Sequence, residues 1–265
     1  MRREYVKIVV LVKQVPDTYG DRKLNTSTGW LDRGTGDAVI DEINERALEV
    51  ALSYKDANKG TEVVVLSMGP APTVDALRKA LTMGADSAVH VLDDQLAGSD
   101  AGWTSAVLAA ALKTTGFDLV VGGNESTDGS GGVIPAMIAE RLSLPHLTFL
   151  DSVELSESSV SAVRRTDIGT VAMHASLPAV ISISESLPEA RFPSFKGIMS
   201  AKKKPFTVLS LGDLGLDPAT SSAGVGHTVI VSTVERPART AGKKIVDEGN
   251  AGIELAEFLV AGRLI

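Results

Sequence analysis

The chain has no cysteine. Disulfides, thiolate nucleophiles, zinc–thiolate centres and iron–sulfur clusters are thereby removed together. Basic charge is in deficit, 26 Lys and Arg against 33 Asp and Glu, for a net charge of −7. A general nucleic-acid binder needs a basic face to neutralise phosphates, so no nucleic-acid partner is expected. Long apolar runs are lacking too. Met1-Arg2-Arg3-Glu4 leads into Lys7–Lys13, which is too short for a signal-peptide core or a membrane span. The expectation is a cytoplasmic protein without membrane insertion.

Catalytic signatures are equally scarce. There is no G-x-x-x-x-G-K-[ST] loop and no G-x-G-x-x-G fingerprint, so ATPase and ordinary dinucleotide-dehydrogenase readings lack their marks. His90, His146, His174 and His227 are scattered without metal-ligand spacing and read as strand-face or loop residues. No serine sits in a nucleophile elbow. The carboxylate pairs Asp41-Glu42 and Asp93-Asp94 read as helix caps or solvated charge. No catalytic and no metal-binding residue is expected, and any redox chemistry would have to come from a bound cofactor.

What is present is an ordinary globular composition, 44% hydrophobic and 22% charged over 265 residues. That length suffices for one large domain, or one domain with an extended tail. Lys7–Lys13 (KIVVLVK) is apolar on both faces, as a central parallel strand would be. Gln14–Gly36 is a polar loop or a small excursion. Ile43, Ala47, Val50, Ala51 and Tyr54 recur at helical spacing and predict a helix over Asp41–Lys55. Strands are predicted at Thr61–Ser67, Ser87–Leu92 and Phe117–Val121. Between and after them come helices around Val74–Leu81, with Gly84 as a C-terminal cap, at Trp103–Lys113, and at Ile134–Leu142. The alternation predicts an α/β fold with a doubly wound, mostly parallel sheet. Ser152–Leu155, Ser159–Arg165 and Thr170–Ala175 alternate, as an antiparallel edge would, and Ala179–Ser182 is one more buried strand. From Leu187 onward the chain is rich in proline, glycine and lysine, with a helix only at Ile253–Val260. An arm with so few apolar anchors packs on something else.

In an open α/β sheet, ligands sit beyond the carboxyl ends of the strands. There, after FDLVV, stands Gly122-Gly123-Asn124-Glu125-Ser126-Thr127-Asp128-Gly129-Ser130-Gly131-Gly132, with a helix opening near Val133. Glycines let a backbone approach an anion, and the first helical turn presents free N–H groups to it. A phosphate over Gly129–Ile134 would be held by main-chain amides, with the Ser130 hydroxyl as a further donor. Asp128 would then fix the Asp-Gly turn or accept a ribose hydroxyl. The competing reading is a glycine-rich turn with no ligand. A second unusual segment is EARFPSFKGIMSAKKK, Glu189–Lys204. Phe192, Phe195, Ile198 and Met199 on a proline-stiffened loop beside Lys202-Lys203-Lys204 make a docking anchor. The competing reading folds the aromatics back onto the core.

The strings KIVVLVKQVPDT, DEINERALEVAL, LSMGPA, LRKALTMGADSAVHV, LVVGGNESTDG, LPAVIS, RFPSFKGIM-x-AKKK and P-x-RTAG, in this order, resemble electron-transfer flavoprotein beta subunits, the family that includes FixA. The match runs from about Lys7 to Gly242, and the DEINERA and GNESTDG spellings look actinobacterial. The resemblance implies an adenine-nucleotide alpha-hydrolase-like α/β domain over residues 1–200, with a recognition loop at 188–204. It implies that residues 205–265 form an arm on an obligate alpha-subunit partner, which holds most of the FAD, while this chain binds AMP structurally. Carried over by position, the nucleotide site comprises Leu11, Asp41, Glu42, Ile43, Asn44 and Met68. It continues through Gly123, Asn124, Glu125, Ser126, Thr127, Asp128, Gly129, Ser130, Gly131, Gly132, Val133 and Ile134. Thr18 and Ile43 fall near the flavin ring, and Phe195 at the position whose side chain enters a pocket on a partner dehydrogenase. The implied activity is electron carriage, from primary dehydrogenases such as acyl-CoA dehydrogenases through FAD to a quinone oxidoreductase. The chain departs from its relatives at Arg165, where many are acidic, at Pro188-Glu189-Ala190-Arg191 before the loop, and at Gly131-Gly132-Val133-Ile134. Two alternatives remain: a bifurcating flavoprotein with a second FAD in the AMP site, and a nucleotide-sensing module unconnected to electron transfer.

Overall fold

The computed structural model describes residues 5–34, 36–217, 228–239 and 241–265. The strands are β1 (Lys7–Leu11), β2 (Gln14–Pro16), β3 (Ala38–Ile40), β4 (Glu62–Met68), β5 (Ser87–Val91) and β6 (Leu119–Gly123). They continue with β7 (His146–Leu150), β8 (Ser152–Leu155), β9 (Ser159–Thr166), β10 (Gly169–Ser176), β11 (Ala179–Ile183) and β12 (Phe206–Leu209). The helices are α1 (Glu42–Ala57), α2 (Thr73–Met83), α3 (Ala101–Thr115), α4 (Ile134–Leu142), α5 (Phe195–Ala201) and α6 (Ala251–Ala261).

Seven strands form one sheet in the order β12-β5-β4-β1-β6-β11-β7, every neighbouring pair parallel. The alternation of β1 shows why its sequence is apolar throughout. Ile8 and Val10 pack into one core with Ala47 and Leu48 of α1 and Leu77 and Leu81 of α2. Val9 and Leu11 pack into a second core with Val107 and Leu112 of α3 and Ile138 of α4. A strand covered on both faces has no polar side to show. The helix ends follow from caps. Asp100 accepts from Trp103 N at 2.8 Å, which starts α3 two residues before the apolar pattern does, and Gly84 ends α2 at φ 142°.

Four local expectations are revised. β8, β9 and β10 pair antiparallel as expected, but as a three-stranded sheet of their own rather than along the edge of the large one. β7 was not foreseen; its LPHLTFL stretch offers only a short run behind a proline. The 188–204 segment contains a helix, α5, opened by the Ser194 hydroxyl accepting from Gly197 N at 3.0 Å. Against the expected boundary at residue 205, β12 pairs with β5 and closes one edge of the sheet. Leu211 is buried in the second core just beyond it.

The chain divides into compact units at Val231/Ser232. In the second, α6 has no buried residue, and Lys243 pairs with Glu254 at 2.8 Å. No helix among the described residues is long and apolar enough to cross a membrane.

Candidate functional site

The order of the sheet selects one place for a ligand. From β1 the chain winds outward through β4 to β5, then returns by α3 to β6 on the other side of β1. The connections after β1 and β6 therefore part company and leave a crevice at their carboxyl ends. The amino terminus of α1 and the Gly123–Gly132 loop lie there.

Asp41, fully buried, ties these two elements together. Its Oδ1 accepts from Ile43 N at 3.2 Å and caps α1, while its Oδ2 accepts from Thr127 N at 2.7 Å and Thr127 Oγ1 at 2.8 Å. Asn44 Oδ1 accepts from Lys13 N at 2.7 Å, just past β1. Gly123 is glycine because a Cβ there would stand 2.6 Å from Asn44 Nδ2 and 2.9 Å from Ile43 Cγ2. Leu11 lies beneath Gly122, and Asn124 N donates to Ile183 O at 2.8 Å, fastening the start of the loop to β11. Asn124 Oδ1 accepts from Glu125 N at 2.9 Å. Met68 ends β4 half-buried, whereas Glu42 and Glu125 are exposed. Thr18 is exposed, and Ile43 is buried against Gly123.

Three cations that sequence reasoning did not single out hold the middle of the loop. Lys13 Nζ lies 2.7 Å from Asp128 Oδ1 and 3.1 Å from Ser126 Oγ, and Arg33 donates to Asp128 Oδ2 at 2.7 Å. Arg22 donates to the Thr127 carbonyl, and also to Thr127 Oγ1 at 3.0 Å and Pro16 O at 2.7 Å. The Asp128 side chain is 1% exposed. Burial alone would raise its pKa, but the hydrogen bond and charge of Lys13, with the bonds of Ser126 and Arg33, outweigh it and hold the carboxyl well below the usual range. Asp128 thus locks the loop to the β1–α1 connection instead of fixing its own Asp-Gly turn. Lys13, directly after a strand at the carboxyl edge, was open to discovery in the sequence. Arg22 and Arg33 sit in a polar excursion with no pattern to mark them.

Just beyond Asp128 two amides are already spent, Gly129 N donating to Ser126 Oγ at 3.4 Å and Ser130 N to Ser126 O at 2.8 Å, so the open stretch begins at Gly131. Ser130 takes a positive φ of 46° and Gly132 one of 64°, and among the described residues nothing beyond its two chain neighbours lies within 4 Å of where a Cβ on Gly131 would be. The amides of Gly131, Gly132, Val133 and Ile134 donate to no protein atom among the described residues. Among the described residues the Ser130 hydroxyl reaches only Ser126 O, at 3.4 Å. Open amides in a positive-φ loop leading into a helix make a concavity suited to an anion. A nucleotide phosphate fits this donor set.

The second candidate segment stands away from the crevice. Phe192 is 93% and Phe195 82% exposed, with Ile198 and Met199 also exposed, so the aromatics do not fold back onto the core. Arg165 N donates to Asp151 Oδ2 at 2.6 Å. His90 is buried, its Nε2 2.9 Å from Gly69 O, and His174 Nδ1 is 3.1 Å from Ser161 Oγ. His227 lies outside the described residues. Among the described residues, no group of three or more His, Asp or Glu could hold a metal.

Comparison with known proteins points in one direction. The electron transfer flavoprotein domain family matches residues 28–214. The chain is 52% identical over 264 residues to the electron transfer flavoprotein subunit beta of Mycobacterium tuberculosis, covering 97% of this chain and 99% of that one. It is 51% identical over 265 residues to the same subunit of Mycobacterium leprae, at the same coverage. It is 33% identical over 257 residues to the caffeyl-CoA reductase-Etf complex subunit CarD of Acetobacterium woodii, covering 97% of each chain.

Proposed function

Because the chain belongs to the electron transfer flavoprotein beta-subunit family, we propose that it is the beta half of a heterodimeric electron carrier that binds AMP at the crevice between β1 and β6. The carrier takes electrons from primary dehydrogenases, acyl-CoA dehydrogenases among them, and passes them to a quinone oxidoreductase. Bound FAD, held mostly by an alpha subunit, supplies the redox chemistry. This chain contributes scaffold, nucleotide site and docking surface.

The observation that carries the nucleotide reading is the set of unspent amides from Gly131 to Ile134 at the switch point of the sheet. Main-chain donors with a fixed direction hold a phosphate without rearranging. Lys13, whose Nζ lies 3.7 Å from where a Gly129 Cβ would stand, adds a cation beside the loop. Asp41 braces the start of α1 against the loop after β6, and Asn44 fixes that start to the end of β1. AMP is structural in this reading, since no side chain here is placed to do chemistry on it.

The partner requirement is supported by α6. Its residues Ile253, Leu255, Phe258 and Val260 are all exposed. Away from the side that carries Glu254 and Glu257 the helix is apolar, and an exposed apolar face of that width is the mark of a surface that a partner covers. The alpha subunit is the proposed cover. The test is co-expression with an electron transfer flavoprotein alpha subunit from the same organism. The purified pair should be a yellow heterodimer with a flavin spectrum, and the chain alone should be colourless. A stable monomer that ignores that partner would refute the carrier reading and favour a free-standing nucleotide-sensing module.

A further inference from the structure

The segment that presents Phe192, Phe195, Ile198 and Met199 is fastened at its beginning, middle and end. Arg191, immediately before Phe192, forks onto α1. Its Nε donates to Glu49 Oε2 and its Nη2 to Glu49 Oε1, both at 2.8 Å, while its Nη1 donates to Asp56 Oδ2 at 2.7 Å. The Arg191 main-chain N adds a fourth bond to Glu49 Oε2 at 3.0 Å. Upstream, Arg46 of the same helix donates to Leu187 O. At the far end Lys204 Nζ donates to Leu81 O at 2.8 Å and Ala85 O at 2.6 Å, where α2 ends. Midway, α5 lies so close to α2 that a Cβ on Gly197 would stand 2.0 Å from Thr82 O.

We propose that Arg191, Gly197 and Lys204 are positioning residues that hold this apolar surface in one orientation before a partner dehydrogenase arrives. The inference rests on the docking role proposed above. A seven-residue helix whose only buried residue is Ala201 does not persist by itself in water. Its order has to come from outside, and the fork of Arg191 is the geometry that fixes direction as well as position. Large apolar groups fixed in advance lose less freedom on binding. The clamp therefore serves recognition and leaves the redox step alone.

The experiment uses the co-purified heterodimer with a purified acyl-CoA dehydrogenase as electron donor. Three readouts are taken: KM and kcat with the carrier as varied substrate, amide hydrogen exchange over residues 192–201, and the flavin spectrum. Arg191→Ala should speed exchange and raise KM about tenfold, with kcat and flavin spectrum unchanged. Lys204→Met, which frees the other end, should do the same and serves if the first variant does not fold. Phe195→Ala should raise KM while leaving exchange as it was. If Phe195→Ala raises KM but the clamp variants do not, the positioning role is overturned and docking stands. Unchanged exchange in the clamp variants overturns the role equally. If Phe195→Ala leaves KM unchanged, the docking reading fails and takes the positioning role with it.

Discussion

Replacing Gly123 by alanine tests how tightly the two walls of the crevice are joined. The added methyl carbon would stand 2.6 Å from Asn44 Nδ2 and 2.9 Å from Ile43 Cγ2. Ordinary heavy-atom contacts begin near 3.5 Å, so the overlap is roughly 1 Å. Neither neighbour can step aside cheaply. Ile43 is buried, and Asn44 is held through Oδ1 by the Lys13 amide. β6 cannot retreat either, being paired on both sides, with β1 and with β11. The start of α1 must move, at a cost of about 1–3 kcal/mol. Asp41 moves with it and stretches its bonds to Thr127, so nucleotide retention should fall together with stability. Gly122 is the internal control. A methyl there would meet Pro135 Cγ at 3.5 Å and Leu11 Cδ1 at 3.7 Å, ordinary contacts whose cost should be under about 1 kcal/mol. Urea unfolding followed by circular dichroism measures both variants. A Gly123→Ala protein as stable as the parent, or a Gly122→Ala protein that suffers more, would mean that α1 and β6 are not held in contact at Gly123.

Asp41→Ala removes the α1 cap and strands the Thr127 amide and hydroxyl, which should cost about 2–4 kcal/mol by denaturant titration and release the bound nucleotide on gel filtration. Asp128→Asn breaks the pairs with Lys13 and Arg33; because both cations are partly exposed, the loss at neutral pH should be only about 1–2 kcal/mol. Its pH dependence has a definite sign. The carboxyl is depressed in the folded state, so its contribution is complete above the unfolded value of about 4 and disappears as pH falls through the folded value. Stability curves of parent and Asp128→Asn proteins should converge in acid, and curves that stay parallel down to the lowest pH would contradict the pairing.

The sheet was legible wherever apolar runs were long and alternated with helical periodicity. KIVVLVK and TEVVVLS announced β1 and β4 because strands buried on both faces must be apolar throughout, and α4 was read to its bounds. The glycines at 122–132 marked the loop after β6, since close backbone approach leaves a compositional trace. Side-chain pairing leaves none. Arg22 and Arg33 reach Thr127 and Asp128 across about a hundred residues of sequence, and only the fold reveals them. β12 escaped because its apolar run, Phe206–Leu209, is only four residues long and stands directly behind Lys202-Lys203-Lys204-Pro205. Arg191 escaped for the same reason as Arg22: its carboxylate partners lie on α1, far away in sequence.

If the open amides before α4 grip AMP while an alpha subunit carries the flavin, the co-purified heterodimer holds one of each nucleotide. Denaturing the co-purified heterodimer and weighing the released nucleotides by mass spectrometry tests it most directly. Equal amounts of FAD and AMP are expected, with AMP alone diminished in the Asp41→Ala protein. Two equivalents of FAD and no AMP, or FAD with no second nucleotide at all, would contradict it.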